Sequence, residues 1–550
     1  MGRVRNTVNR INRRLTVKLA ATLLAGSMLL SSLLGFFRDR LLNAAYMPNE
    51  AAGLAGYPVG LDAYTAAFMV PDFMFAILVS GALSVTFIPV FNERWVKGNK
   101  RSAWEISSSM INFMALATMI VSVLIIIFAD HIAAVLVQGF SESGKALTVS
   151  MMRVIAVNPF IFAIAAVIAS VQQAVGRFTF YALAPMIYNF GIIIGTVWFT
   201  QGITIFGWQL FDGGIMGVAL GVVFGSLLQL IVSAAGLIGL GFDYQFKIYW
   251  RNKEFRKVLR LLPARSVDQG MDYAVSLVEM NLLSKMGDGV TRAYQQALTL
   301  HMMPINLIGV AISNAVFPQL TESLGEGKEQ EFQRQLRSLL RIIIWLALPV
   351  AVVTFFARGY VVHFIRNAGD QLMASILGAL VIAILFRSIY HMAARAFYAQ
   401  QDTKTPLYIS FFSIGLNILL AIVLSTTLDM GALGLAWAQS IVAFVEVVIL
   451  FSVMSRRMPK LFNAEFASAM TKMAIATGIT AIVCYFSVRL FPFRGTDNSF
   501  FAAFPKFLMI TLMSFTAYGA LSKVLRLPEI DPLLARLRKI LFARFDGRRV

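Results

Sequence analysis

FYAQQDTKTPLYISFFSIGLN, residues 397–417, sets a hydrated Gln-Gln-Asp-Thr-Lys-Thr-Pro segment between apolar and aromatic runs. An earlier stretch, VQQAVGRFTFYALAPMIYNFG, residues 171–191, echoes it. Gln172-Gln173 precede Asn189 by the interval that separates Gln400-Gln401 from Asn417, at an offset of 228 residues. ALSVTFIP, residues 82–89, matches AISNAVFP, residues 311–318, at an offset of 229, and Ala63-Tyr64 matches Ala293-Tyr294 at 230. Apolar octamers often match by chance in such a chain, but concordant offsets at separate places mark an internal duplication.

The duplicated unit is built for a bilayer. Of the 550 residues 58% are hydrophobic and only 14% charged, so a soluble fold could not cover its apolar surface. Runs such as LATMIVSVLIIIFA (116–129) and MITLMSFTAYGALS (509–522) approach the roughly 20 residues that carry a helix across hydrocarbon. They are apolar on every face, which excludes the alternating strands of a transmembrane β-barrel. The pattern predicts an all-α polytopic membrane protein of about 14 spans, among them 18–43, 61–91, 262–285, 290–320, 373–399 and 500–524 as first, second, seventh, eighth, tenth and last. The repeat period holds six spans. Six is even, so both halves enter from the same side and the repeat is parallel. The chain then divides into a basic tail (1–17), an N-lobe (18–240), a basic linker (241–261), a C-lobe (262–455), two further spans (465–524) and a second basic tail (525–550).

The net charge of +20 sits in short clusters between spans rather than in one basic domain, which argues against a nucleic-acid partner. The clusters are the N-terminal tail, Arg94 to Arg101, Lys247 to Arg260, Arg456 to Lys460 and the C-terminal tail. Each follows an even number of crossings, so the positive-inside rule places both termini in the cytoplasm. The basic N-terminus followed by LAATLLAGSMLLSSLL has the form of a secretory signal, but the run continues into GFFRDR and reads as the first span. The single cysteine, Cys484, permits no intrachain disulfide.

Charged residues inside spans cost on the order of 3 kcal/mol each and normally face a bundle interior or watery cavity. Arg38 and Asp39 lie toward the far end of the first span. Arg387, His391 and Arg395 recur at intervals of four on the tenth and form one cationic stripe. Such a stripe could meet an anionic headgroup, with Arg as a planar fork and His as a charge switchable near neutral pH; pairing with acids of a neighbouring helix is the alternative. Asp268 and Asp272 share a face of span seven, where carboxylates could couple Na+ or H+, although Asp268 could also pair locally with Arg265. His301 reads as a satisfied core residue. Pro71, Pro89, Pro304 and Pro318 mark the second and eighth spans, with Pro71 and Pro304 as candidate hinges. The sequence holds no HExxH, no P-loop and no GxSxG in a strand-to-helix setting, so a transporter rather than an enzyme is expected.

LLGFFRD (33–39), DAYTAAFMVPDFMFAILVSGALSVTFIPVF (62–91), RVIAVNPF with GRFTFYALAP (153–185), LIGVAISNAVFPQL (307–320) and FYAQQDTKTP (397–406) resemble the MurJ (MviN) family, lipid II flippases of the multidrug/oligosaccharidyl-lipid/polysaccharide exporter superfamily. The resemblance implies two MATE-like six-helix lobes around a cationic cavity, plus two C-terminal helices forming a groove for a lipid tail. It implies a bacterial cell-membrane monomer whose cargo is undecaprenyl-diphosphate bearing a disaccharide-pentapeptide. Na+ or H+ coupling, dependence on membrane potential, and contacts with membrane lipids and cell-wall synthesis proteins belong to the same expectation. Arg38 and Asp39 match the Arg-Asp of the family's first helix, and Asp62 the acid that opens its second. Ser32, Phe75 and Thr299 stand where the family often has arginine, and Arg387 with His391 is then expected to supply part of that charge. Asn417, the repeat partner of Asn189, joins the candidate coupling residues. An exporter of another polyprenyl-linked oligosaccharide or of drugs, and a non-transporting cell-wall scaffold, remain the alternatives.

Overall fold

The computed structural model describes residues 12, 17–46, 59–79, 82–205, 208–211, 213–366, 369–459, 461–494, 497 and 499–535; the extreme basic tails, and the side chains of Asp268 and Asp272, lie outside the described residues. Helices dominate, because in hydrocarbon a spanning backbone must satisfy its polar groups internally. Contacts divide the chain into two compact units, residues 1–292 and 293–550.

The first unit comprises α1 (Val17–Tyr46), α2 (Val59–Leu78), α3 (Ala82–Val96), α4 (Lys100–Leu136), α5 (Glu142–Ile155), α6 (Asn158–Ala174), α7 (Thr179–Val197), α8 (Met216–Ala235) and α9 (Lys253–Ser284). A short antiparallel hairpin, β1 (Ile203–Ile205) with β2 (Trp208–Phe211), links α7 to α8. Two apolar cores hold it together. One gathers Leu42, Leu61, Ile125, Met152 and Val218. The other gathers Phe87, Phe91, Trp104, Val167, Phe255 and Val258. α7 and α8 approach backbone to backbone through glycine. A Cβ on Gly191 would meet Gly225 Cα at 2.2 Å, and one on Gly195 would meet Gly221 Cα at 2.4 Å. Small residues at this spacing bring membrane helices together where apolar burial gives no drive. Gly221→Ile is therefore expected to force these helices apart and cost several kcal/mol; a fall of the detergent-solubilised protein's unfolding midpoint by many degrees checks it.

The second unit begins within α10 (Val290–Pro304), continues through a π-helical turn (Ile305–Val310) into α11 (Ala311–Gly325), and adds α12 (Glu329–Phe356), α13 (Arg358–Ile365), α14 (Gln371–Ala399), α15 (Lys404–Ile422) with a π-helical end (Val423–Thr427), α16 (Gly431–Arg457), α17 (Ala464–Leu490) and α18 (Phe500–Val524). Its core packs Leu336, Leu340, Met392, Phe397, Leu450 and Met473 together.

Several expectations change. Twelve stretches among the described residues are long and apolar enough to cross a membrane. The first and seventh expected spans are present as continuous helices of 30 and 32 residues, α1 and α9, but are not among those twelve. The lobe boundary also shifts. Repeat arithmetic put span seven at the head of the C-lobe, whereas α9 packs on α2, α3 and α4 of the first unit, and fully buried Phe255 and Val258 anchor it there. The linker expected at 241–261 is helical from Lys253 and is tied down before it: Ser108 Oγ accepts from Gln245 N at 3.1 Å, and Asn112 Nδ2 donates to Gln245 O at 2.8 Å. The second span is two helices, α2 ending at Leu78 and α3 starting at Ala82; at the offset of 229, the π turn ending at Val310 stands where that division falls. Pro71 lies inside continuous α2, while Pro304 directly precedes the π turn.

The two echoed segments each turn between helices, at slightly different places. Gln172 is still helical, and its Nε2 donates to Ser233 O at 2.8 Å, so the turn follows at 175–178. In the second unit α14 ends before Gln400, and Gln401 takes a left-handed φ of 59°. Asp402 then caps α15 by accepting from Lys404 N and Thr405 N, both at 3.0 Å, and pairs with Arg457 at 2.7 Å. Burial opposes the charge of Asp402, but the Thr405 and Arg457 hydrogen bonds outweigh it and hold its pKa at about 2. That lies below the unfolded value of about 3.9, so this stabilisation is complete above pH 4 and fades as pH falls toward 2. Between pH 5 and 3 the unfolding midpoint is expected to drop further for the parent protein than for Asp402→Asn.

Candidate functional site

The first unit gathers several charged and polar groups at one place. Asp39, only 6% exposed, sits between two guanidiniums. Its Oδ1 accepts from Arg38 Nε at 3.2 Å and Nη2 at 3.0 Å, and from Arg292 Nη2 at 3.3 Å. Arg38 Nη1 donates to Asn189 Oδ1 at 2.9 Å, and Asn189 is oriented in turn by donating to Ser31 Oγ at 3.2 Å and Pro185 O at 3.2 Å.

Asp62, on the first turn of α2, accepts from Arg292 N at 2.7 Å and from Gly289 N. The Arg292 guanidinium lies 5.8 Å from the Tyr64 ring centroid. A buried ion pair repays its desolvation only when the remaining donors and acceptors are matched. Here one carboxylate balances two guanidiniums, and the Arg38 side chain is 22% exposed against 7% for Arg292. Arg38 can thus present a planar set of donors to an anion while remaining held in place.

Neither Arg292 nor Asp72 was singled out from the sequence. The signal for Arg292 lay in the repeat: at the offset of 230, DAY (62–64) faces RAY (292–294), with opposite charges at equivalent positions. Asp72 follows Pro71 on α2, has no hydrogen-bond partner among the described residues, and lies within electrostatic reach of Tyr64 and Tyr188.

In the second unit the stripe on α14 is formed, but the Arg387 charge meets a buried acid. Arg387 Nη1 pairs with Glu446 Oε2 of α16 at 2.8 Å, and Glu446 is 2% exposed. Arg395 donates to Asn314 at 2.6 Å and lies over the Phe317 ring. The His391 ring stands 5.7 Å from that of Tyr390. Asn417 is buried on α15, and its Oδ1 has no hydrogen-bond partner among the described residues. His301 is buried, with Nδ1 2.7 Å from Leu298 O. Ser32 is exposed, Phe75 half-buried, and the Thr299 hydroxyl donates back to Gln295 O at 3.0 Å.

Known proteins share this arrangement of helices. The probable lipid II flippase MurJ of Thermotoga maritima is 24% identical over 482 residues, covering 86% of this chain and 92% of that one. The Bdellovibrio bacteriovorus protein of the same description is 24% identical over 524 residues, covering 93% and 95%. A solved lipid II flippase MurJ in an inward closed conformation superposes with a TM-score of 0.73 at 25% identity, over 92% of this chain and 98% of the other. An outward-facing MATE-family multidrug transporter of the MOP superfamily, at 16% identity and a TM-score of 0.56 over 82% and 98%, shares the fold alone. The model of the family described as lipid II flippase MurJ matches residues 52–506, from just before Asp62 to beyond the start of α18, and this chain therefore belongs to that family.

Proposed function

We propose that this protein is a lipid II flippase of the bacterial cell membrane, moving undecaprenyl-diphosphate disaccharide-pentapeptide from the cytoplasmic to the outer leaflet by alternating access. The observation that carries this reading is the partly open Arg38 guanidinium, held by Asp39 and Asn189 and backed by Arg292. A diphosphate cannot leave water unaided, and fixed donors at membrane depth replace part of its hydration while the prenyl tail stays in lipid. The reading needs no catalytic chemistry. Both termini lie in the cytoplasm, and the protein works as a monomer among membrane lipids, with cell-wall synthesis proteins as neighbours. Resetting draws on the membrane potential or on Na+ or H+.

The test is complementation. In a strain depleted of its own lipid II flippase, this chain should restore growth and outer-leaflet exposure of labelled lipid II; loss of exposure on collapse of the potential would assign resetting to the potential, and no change would remove it. Restored drug resistance without lipid II exposure would favour a drug exporter, and growth without exposure a scaffold.

A further inference from the structure

Beside the Arg38 cluster the first unit holds a cavity of about 330 Å³. Small residues of α6 and α7, such as Ala165, Ala169 and Ala184, leave the space, and Phe75, Phe162 and Tyr181 wall it. Phe75 and Phe162 meet edge to face with centroids 5.6 Å apart, and Phe162 continues to Tyr188 at 5.2 Å. The side-chain amides of Gln173 and Gln229 also line the cavity, and neither they nor the Tyr181 hydroxyl have a hydrogen-bond partner among the described residues. Pro185 links the cavity to the charged cluster: it lines the cavity, and its carbonyl accepts from the same Asn189 that orients Arg38.

We infer that this cavity is a subsite for one sugar ring, the N-acetylated hexosamine joined directly to the diphosphate. This rests on the flippase reading above. Aromatic walls against the apolar C–H faces of a pyranose, with a few converging amides and hydroxyls for its polar rim, match the usual make-up of a small-ligand pocket. Each glutamine offers two donors and an acceptor, and the tyrosine hydroxyl offers one of each, the inventory that ring hydroxyls and an acetamido group require. The volume lies near the lower end of ligand pockets, which suits one ring rather than the whole disaccharide-peptide. Phe75, standing where the family often has arginine, contributes a wall to this subsite instead of a charge.

The test compares two probes on the full chain in nanodiscs: undecaprenyl diphosphate without sugar, and lipid II. The parent protein should bind lipid II at least tenfold more tightly. Gln173→Leu/Gln229→Leu should remove most of that preference and leave affinity for the bare diphosphate within twofold. Tyr181→Phe, which deletes one hydroxyl and keeps the ring, should lower lipid II affinity severalfold in the same selective way. Equal effects on both probes, or none on either, would overturn the sugar subsite while leaving the flippase reading intact. Failure of the parent protein to bind either probe would overturn the flippase reading and the subsite with it.

Discussion

Arg38→Ala is expected to abolish growth support in the flippase-depleted strain and to lower lipid II translocation at least 100-fold, with the protein still in the membrane. Arg38 is the more open of the two guanidiniums on Asp39, and its removal deletes the donors that an incoming diphosphate would meet. Hydrogen bonds to charged groups contribute about 1.5–3 kcal/mol each, so losing two such bonds suffices for a loss of this size. Arg38→Lys should retain a fraction of activity, because an ammonium keeps the charge but not the planar fork. The unfolding midpoint separates loss of function from loss of fold. Asp39 keeps Arg292 as a partner in the variant, so the midpoint should move by only a few degrees. Undiminished translocation by Arg38→Ala would remove this residue from the site.

What the sequence disclosed was set by period and by composition. Uninterrupted apolar runs and the concordant offsets disclosed the helices and the duplicated, MATE-like plan. Packing partners were less legible, since α9 shares its repeat position with α1 but buries Phe255 and Val258 against the first unit's aromatic cluster. Such a choice depends on side chains from distant segments and has no local signature. In the site, Arg38, Asp39 and Asp62 were legible as charges within or beside apolar spans. Arg292 was not, because it stands on the first turn of the eighth span, just after the polar Asp-Gly of DGVTRAY, and looks solvated until Asp39 is brought to it. Glu446 was missed as a single acid inside GLAWAQSIVAFVEVVILF, and its absence from the reading made the Arg387 stripe look more cationic than it is. Ser32, Phe75 and Thr299 showed where charge had been lost, but not that Phe75 helps wall a cavity instead.

Glu446→Gln is expected to destabilise the second unit by about 3–5 kcal/mol, because it leaves the Arg387 charge without its buried counter-ion. Arg387→Met should cost a comparable amount, leaving Glu446 as a buried carboxylate without the Arg387 guanidinium. Replacing both partners together, Arg387→Met/Glu446→Leu, removes the two desolvation penalties at once and should recover most of the lost stability. The same double variant decides what Arg387 does in transport. With its charge already matched at 2.8 Å, Arg387 has little left to offer an anion, and the double variant should retain at least half of the parent's translocation rate. A double variant that unfolds like the parent but no longer translocates would instead assign Arg387 to the headgroup site, with Glu446 as the acid that holds it ready.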